Sequence, residues 1–221
     1  MAIVPCCTHL LKPPPMTFRR PAAASLDEPN RVALTFDDGP STTSTDEVLA
    51  LMEKYGIKTT FFVVGQMVEN NGARSKRALD AGHLIANHSF THPEFSKLSA
   101  DAMASEIDST TEAMAAFDIP APQYFRPPYG DGDGSTLAQI LDERGMTPVY
   151  WTIDSRDWEL PSVDQIYQNV IADLQAQWDR SNFTNIVLFH DIQAHTPAVI
   201  DLVIPDLIAA GCDLVRIDEI L

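Results

Sequence analysis

Polar residues with catalytic chemistry follow several apolar runs of this 221-residue chain, each at the point where a strand is expected to end. Residues 32–36 are typical of a buried strand, and Asp37 and Asp38 come directly after them. A carboxylate at the end of an apolar strand costs free energy unless something pairs with it, and two adjacent like charges cost more. The chain must therefore fold so that something compensates this charge. The other residues placed in this way are His88, Arg126, Asp154 and His190.

From residue 30 onward, apolar strand patterns alternate with helical patterns. Strands this apolar, joined by helices, indicate a parallel sheet that is covered on both faces. A doubly wound sheet gathers its site at one switch point, whereas a β/α barrel uses many strand ends. We therefore predict an incomplete or distorted (β/α) barrel of about seven parallel strands. The predicted strands are 31–36, 59–64, 83–87, 124–126, 148–153, 185–189 and 213–217, and the predicted helices are 44–55, 72–81, 99–117, 134–144, 162–175 and 196–209.

The first 29 residues differ from the rest of the chain in composition. They are rich in proline and alanine, so we predict an extended or partly disordered leader at 1–29 and one catalytic domain at 30–221. No secretory signal is visible, so either the protein stays inside the cell or its signal is missing from this sequence. Cys6, Cys7 and Cys212 indicate no disulfide framework.

The chain carries a formal net charge of -16. This charge argues against nucleic acid and against anionic membrane surfaces as partners. No apolar stretch approaches the roughly 18 residues of a membrane span. We expect a monomer that acts on a neutral polymer.

His88 and His92 are four residues apart. Taken alone, this spacing favours two surface histidines over a metal site. With Asp38 they make one carboxylate and two imidazoles, a ligand set that leaves positions open for water and substrate. We therefore expect one divalent metal ion. The set suits Zn²⁺ best, although Co²⁺, Ni²⁺ and Fe²⁺ also fit.

Asp37 is then free to act as a base on a water molecule. The alternative is a turn residue before Gly39, a common place for aspartate. Arg126 favours the base, because an arginine at a strand end can hold Asp37 ionised and oriented. The alternative role for Arg126 is a structural ion pair.

His190 is a candidate general acid, and the alternative is a core histidine bonded to the backbone. Asp157 is placed to orient its ring. Trp158 and Leu188 are candidates for a small apolar pocket, with core packing as the alternative for the tryptophan.

Five segments of the chain together resemble the motifs of the NodB-like polysaccharide deacetylases, carbohydrate esterase family four. They are residues 35–40, 88–92, 126–130, 154–158 and 188–191, and the resemblance extends over 31–221. It implies a deformed β/α barrel with a metal-dependent deacetylase site. The roles it implies are Asp37 as base, His190 as acid, Asp38, His88 and His92 as metal ligands, Arg126 and Asp157 as braces of Asp37 and His190, the Tyr129 backbone N–H as oxyanion donor, and Trp158 with Leu188 around the acetyl methyl.

The expected reaction is hydrolytic removal of N-acetyl groups from N-acetylglucosamine units of chitin, chito-oligosaccharides or peptidoglycan, with release of acetate. Three alternatives stay open: an acetylxylan O-deacetylase, a non-catalytic carbohydrate-binding protein, and a small-molecule amidohydrolase whose loops close the cleft. Short predicted loops favour an open groove for polymer. The resemblance implies an extracellular, periplasmic or cell-wall location, and a cytoplasmic one stays open because no signal is visible.

Overall fold

The computed structural model describes residues 30–132, 134–180, 182 and 184–221. The predicted leader, with Cys6 and Cys7, lies outside these residues. Within them the chain forms one eight-stranded sheet in which every pairing is parallel. The strands are β1 (Arg31–Asp37), β2 (Thr60–Val63), β3 (Leu84–Asn87), β4 (Tyr124–Phe125), β5 (Thr147–Pro148), β6 (Ile153–Asp154), β7 (Thr184–His190) and β8 (Asp213–Leu214).

The strand order is β5-β4-β3-β2-β1-β7-β6, with β8 paired to β1. Strand β7 pairs along the full length of β1, so β8 and β2 share the opposite edge. The end strands β5 and β6 do not pair with each other within the described residues, and the sheet is a curled, open half-barrel. The predicted incomplete barrel is confirmed.

The predicted strand at 148–153 is wrong, because this segment instead lies between the two short strands β5 and β6. The carbonyls of Val149 and Tyr150 accept hydrogen bonds from Arg126 Nε at 3.2 Å and Nη2 at 3.4 Å. A side chain therefore satisfies carbonyls that a neighbouring strand would otherwise bond. The sheet has eight strands rather than about seven for this reason.

In the part of the chain that the structure describes, six α-helices connect the strands. Helix α1 matches its predicted range, because Gly56 ends it in the left-handed conformation at φ 68°. Helix α2 begins earlier than predicted and is kinked at Asn71. No described helix combines the length and apolar character that crossing a bilayer requires. The helices are α1 (Ser44–Tyr55), α2 (Gly65–Asp80), α3 (Ala100–Ala115), α4 (Ser135–Asp142), α5 (Val163–Asp179) and α6 (Thr196–Ala209).

Side chains alternate between the two faces of each strand. On β1, Leu34 and Phe36 join the main core with residues of α1, α5 and α6. Ala33 lies in a separate cluster on the opposite face, together with Phe62 and Ile186. Alternation places Thr35 and Asp37 on the same face as Ala33. The side chain of Asp37, at the carboxyl end of β1, therefore projects from the face opposite the main core.

Candidate active site

Asp37 ends β1 and lies almost wholly buried against Arg126. Arg126 Nη1 is 2.7 Å from Asp37 Oδ1 and donates a further hydrogen bond to Thr35 Oγ1 at 2.9 Å. The guanidinium also lies over the Phe62 ring, with its central carbon 3.9 Å from the ring centroid. The structure thus brings Arg126 and Asp37 together as a buried ion pair. Thr35 was not singled out by the sequence analysis.

Asp38, His88 and His92 form a cluster whose ligand atoms all lie within 4.8 Å of one another. Asp38 Oδ1 is 3.4 Å from His88 Nε2 and 3.2 Å from His92 Nε2. Burial would raise the pKa of Asp38, but the close approach of the His88 and His92 rings and the positive charges of His88 and His190 lower it far below its ordinary value. The carboxylate is therefore ionised and faces both rings.

This cluster fits a divalent cation on two grounds. Asp38 Oδ1 is buried and has no hydrogen-bond partner among the described residues, which is costly unless a cation satisfies it. Ligand atoms about 2.1 Å from one metal lie roughly 3.0–3.4 Å from each other. The two distances from Asp38 Oδ1 to the histidine Nε2 atoms, 3.4 and 3.2 Å, agree with this range. His88 Nδ1 is 2.7 Å from the Arg126 carbonyl, so Nδ1 donates and Nε2 is left free to bind a metal.

The loop that joins His88 to His92 is held by neighbours that the sequence analysis missed. Asn87 Oδ1 accepts from the Ser89 N–H at 2.8 Å. Glu106, on α3, accepts from the backbone of Phe90 and of Thr91. Glu106 lies on the α-helix that follows the loop, and its spacing from the loop matches no motif that the sequence analysis used.

His190 ends β7 and is held by Asp157 at two points. Asp157 Oδ1 lies 2.7 Å from the ring Nδ1, and Oδ2 accepts from the His190 backbone N–H at 2.8 Å. Burial would lower the pKa of His190, but the hydrogen bond to Asp157 and the negative charges of Asp157, Asp37 and Asp38 raise it to about 9. Thr196 Oγ1 also donates to Asp157 Oδ2, a contact that was not predicted.

The candidate base, acid and metal ligands line a cavity of about 330 Å³ that opens to solvent. Its walls include Tyr129, Trp158 and Leu188, so the structure places all three predicted pocket residues beside the cluster. Trp158 is 55% exposed and Leu188 is buried, which gives the cavity one open and one closed apolar wall. The Tyr129 ring lies 4.6 Å from the His92 ring, centroid to centroid. The lining residues are Asp37, Asp38, His88, His92, Tyr129, Trp151, Asp154, Trp158, Leu188 and His190.

Asp191 is a buried carboxyl group beside the site that the sequence analysis did not assign. Burial, and then the charges of Asp38 and Asp37, raise the pKa of Asp191 to about 7, against a hydrogen bond from Thr45 that lowers it. Ser41 Oγ donates to the Asp191 carbonyl at 2.9 Å. These bonds tie the turn after β1 to the turn after β7.

A larger cavity of about 480 Å³ lies at the other end of the sheet, beside His83 at the start of β3. Its charged groups include Arg77 and Asp46, which pair with each other. His83 Nδ1 accepts from the Thr59 N–H at 3.1 Å, and burial lowers the pKa of His83 to about 4. Among the described residues, the cluster of acidic and histidine side chains that could hold a metal ion lies at the rim and not in this cavity.

A half-barrel with a carboxylate and two histidines at its rim is the arrangement that the resemblance to carbohydrate esterase family four implies. The profile of the polysaccharide deacetylase family matches residues 25–149, more than half of the chain. The chain belongs to the polysaccharide deacetylase family.

Two relatives and one solved structure illustrate the similarity. Peptidoglycan-N-acetylglucosamine deacetylase PgdA of Listeria monocytogenes is 32% identical over 206 residues, which cover 93% of this chain and 42% of that protein. The chain therefore spans less than half of that relative. A chitooligosaccharide deacetylase of Rhizobium leguminosarum bv. trifolii is 37% identical over 150 residues, covering 67% of this chain and 68% of that protein. A family 4 carbohydrate esterase from Streptomyces lividans, solved with acetate, superimposes with a TM-score of 0.74 at 37% identity, covering 84% of this chain and 91% of that one.

Proposed function

We propose that this chain is a metal-dependent deacetylase that hydrolyses the N-acetyl groups of N-acetylglucosamine units in chitin, chito-oligosaccharides or peptidoglycan. The observation that carries the proposal is the buried Asp38 Oδ1, which has no hydrogen-bond partner among the described residues and faces the Nε2 atoms of His88 and His92. The names of the Listeria and Rhizobium relatives support the substrate class.

Asp38, His88 and His92 would hold the metal ion, for which Zn²⁺ is the best match. When bound, such an ion polarises the acetyl carbonyl and lowers the pKa of a neighbouring water molecule. Asp37 takes the proton from that water as it attacks the carbonyl carbon. The buried ion pair with Arg126 fixes the orientation of Asp37 and compensates its charge in the buried site.

His190 provides the proton that the leaving nitrogen needs. Its ring is held at Nδ1 by Asp157, which leaves Nε2 as the donor toward the cavity. The raised pKa keeps the ring protonated through the neutral range. Acetate and the free amine are then the products, and no covalent bond to the protein forms.

The walls of the cavity account for selection of an acetyl group. Trp158 and Leu188 provide an apolar recess that suits a methyl group, and the Tyr129 backbone N–H stabilises the oxyanion. Because chitin and peptidoglycan lie outside the cytoplasmic membrane, we also propose that the protein acts at an extracellular, periplasmic or cell-wall location.

The test compares acetate release from chitin oligomers, N-acetylated peptidoglycan and acetylxylan, each with and without a chelator. We expect release from at least one N-acetylated substrate, loss with chelator, and recovery when Zn²⁺ or Co²⁺ is added back. The variant His195→Ala serves as a control, because His195 is exposed and is not among the residues that line the cavity. Release from acetylxylan alone would identify an O-deacetylase, and release from none would favour a carbohydrate-binding protein.

A further inference from the structure

The loop between His88 and His92 has an unusual backbone conformation. Ser89 and His92 both have positive φ angles, 66° and 60°. Residues with a Cβ rarely adopt this region, and they keep it only where the surroundings hold them. The orientation of both histidine rings therefore depends on what fixes this loop.

Helix α2 fixes the carbonyl side of the loop. The backbone N–H of Gly65 donates to the Ser89 carbonyl at 2.9 Å, and the N–H of Gln66 donates to the Phe90 carbonyl at 3.1 Å. A Cβ at position 65 would lie 2.3 Å from Phe90 Cδ2, so the close approach of helix and loop requires glycine here. These contacts fix one side of the loop only.

Glu106 of α3 fixes the N–H side. Its Oε2 accepts from the Phe90 N–H at 2.8 Å and from the Thr91 N–H at 2.7 Å. Its Oε1 accepts from Thr91 Oγ1 at 2.7 Å. Among the described partners of this loop's backbone it is the one charged group, and hydrogen bonds to a charged acceptor are stronger than neutral ones.

We infer that Glu106 is a positioning residue for the metal site, which holds His88 and His92 in the geometry that binds the ion. The inference rests on the metal site of the proposed function. Glu106 acts through the loop between the two histidines, with two hydrogen bonds to its backbone and one to the Thr91 hydroxyl. Groups that orient metal ligands in this way typically change metal affinity about 10–100-fold when they are removed.

Two substitutions separate the hydrogen bonds from the charge. Glu106→Ala removes all three bonds, and we expect the affinity for Co²⁺ to fall about 10–100-fold. Glu106→Gln keeps one oxygen for the two N–H groups, and the Thr91 hydroxyl can accept from the new amide. We therefore expect Glu106→Gln to retain most of the affinity of the wild type.

The experiment is a titration with Co²⁺ in competition with a chelating dye, on wild type and variants that circular dichroism shows to be folded. Glu112→Ala is the matched control, because Glu112 is an exposed glutamate on the same helix. Hydrogen exchange of residues 89–92 provides a second readout and should accelerate in Glu106→Ala. If Glu106→Ala does not fold, Thr91→Val removes one of the bonds and should weaken Co²⁺ binding by a smaller factor.

Equal Co²⁺ affinity for wild type, Glu106→Ala and Glu112→Ala would overturn the inference. An equal loss in Glu106→Gln and Glu106→Ala would also overturn it, because charge rather than loop geometry would then control affinity. The titration contains no substrate. A wild type that binds Co²⁺ but releases no acetate would therefore refute the proposed reaction and leave the role of Glu106 to be decided by the affinities.

Discussion

Asp37 and His190 are register partners on the adjacent parallel strands β1 and β7. Partners in register project to the same face of a sheet, so the side chains of the candidate base and the candidate acid lie next to each other at the rim of the barrel. Arg126 braces one and Asp157 braces the other. The strand pairing itself therefore sets the spacing between the group that would take a proton from water and the group that would give one to the leaving nitrogen.

The metal ligands should be individually essential for metal binding. We expect His88→Ala and His92→Ala to abolish stoichiometric binding of Zn²⁺ and with it acetate release, because two of three ligands do not hold the ion. Metal content measured by mass spectrometry after dialysis tests this, with His195→Ala as the surface control. Full turnover by a variant that holds no metal would refute the assignment.

Replacing Asp37 should damage the rate much more than metal binding. We expect Asp37→Asn to lower kcat by about 10²–10⁴, the usual range for a positioned base, with the metal still bound. The asparagine oxygen can still accept from Arg126, so the local geometry is kept. Steady-state kinetics and metal analysis of the same sample test this. An empty metal site in Asp37→Asn would mean that Asp37 is itself a ligand.

Replacing His190 should separate amide substrates from ester substrates. An amine leaves only when its nitrogen is protonated, whereas an alkoxide is a better leaving group. We expect His190→Ala to reduce N-deacetylation by about 10²–10⁴ and O-deacetylation of an acetylated sugar much less. Initial rates on a matched pair of N-acetyl and O-acetyl substrates test this, and equal losses on both would argue against His190 as the proton donor.

The alkaline limb of activity should depend on Asp157. Because the pKa of His190 is raised to about 9, the protonated ring is present at lower pH and is lost as pH rises through that value. A bound cation would offset the carboxylate charges that raise it, so we expect the limb of kcat/KM at or below about pH 9. Asp157→Asn removes the negative charge of Asp157 and leaves at most a weaker, neutral hydrogen bond to the ring, so it should move the limb to lower pH. If the alkaline limb does not move in Asp157→Asn, a group other than His190 causes it.

The buried pair of Arg126 and Asp37 should matter for stability as well as rate. Arg126→Met leaves an unpaired carboxylate in a site where neither side chain is more than 3% exposed. We expect a loss of about 3–5 kcal/mol in the free energy of unfolding, measured by urea denaturation with chelator present. The matched control Arg144→Met removes a more exposed pair with Asp108 and should cost about 1 kcal/mol or less. Similar losses for both would contradict this reading.

Sequence patterns predicted where the rim residues lie, because strand ends are marked by a change from apolar to polar residues. Asp37 and His190 end apolar strands and His88 follows one, and a parallel sheet necessarily collects those ends at one edge. Helix α1 was predicted to the residue because Gly56 marks its end.

Side-chain contacts between separate elements were not predictable in this way. Glu106 reaches the histidine loop from α3, and Thr196 reaches Asp157 from α6. The split of the predicted strand at 148–153 follows from bonds that Arg126 makes in three dimensions. The roles of Tyr129, Trp158 and Leu188 stay predictions, although all three line the cavity.

The burial of Arg126 against Asp37 has an evolutionary consequence. A descendant that lost Asp37 alone would keep a buried guanidinium without its counter-charge, and one that lost Arg126 alone would keep a buried carboxylate. Neither single change is neutral for folding, so the two positions are epistatic. Lineages of this fold that abandon catalysis should therefore replace both residues together or retain both, long after selection on turnover has ended.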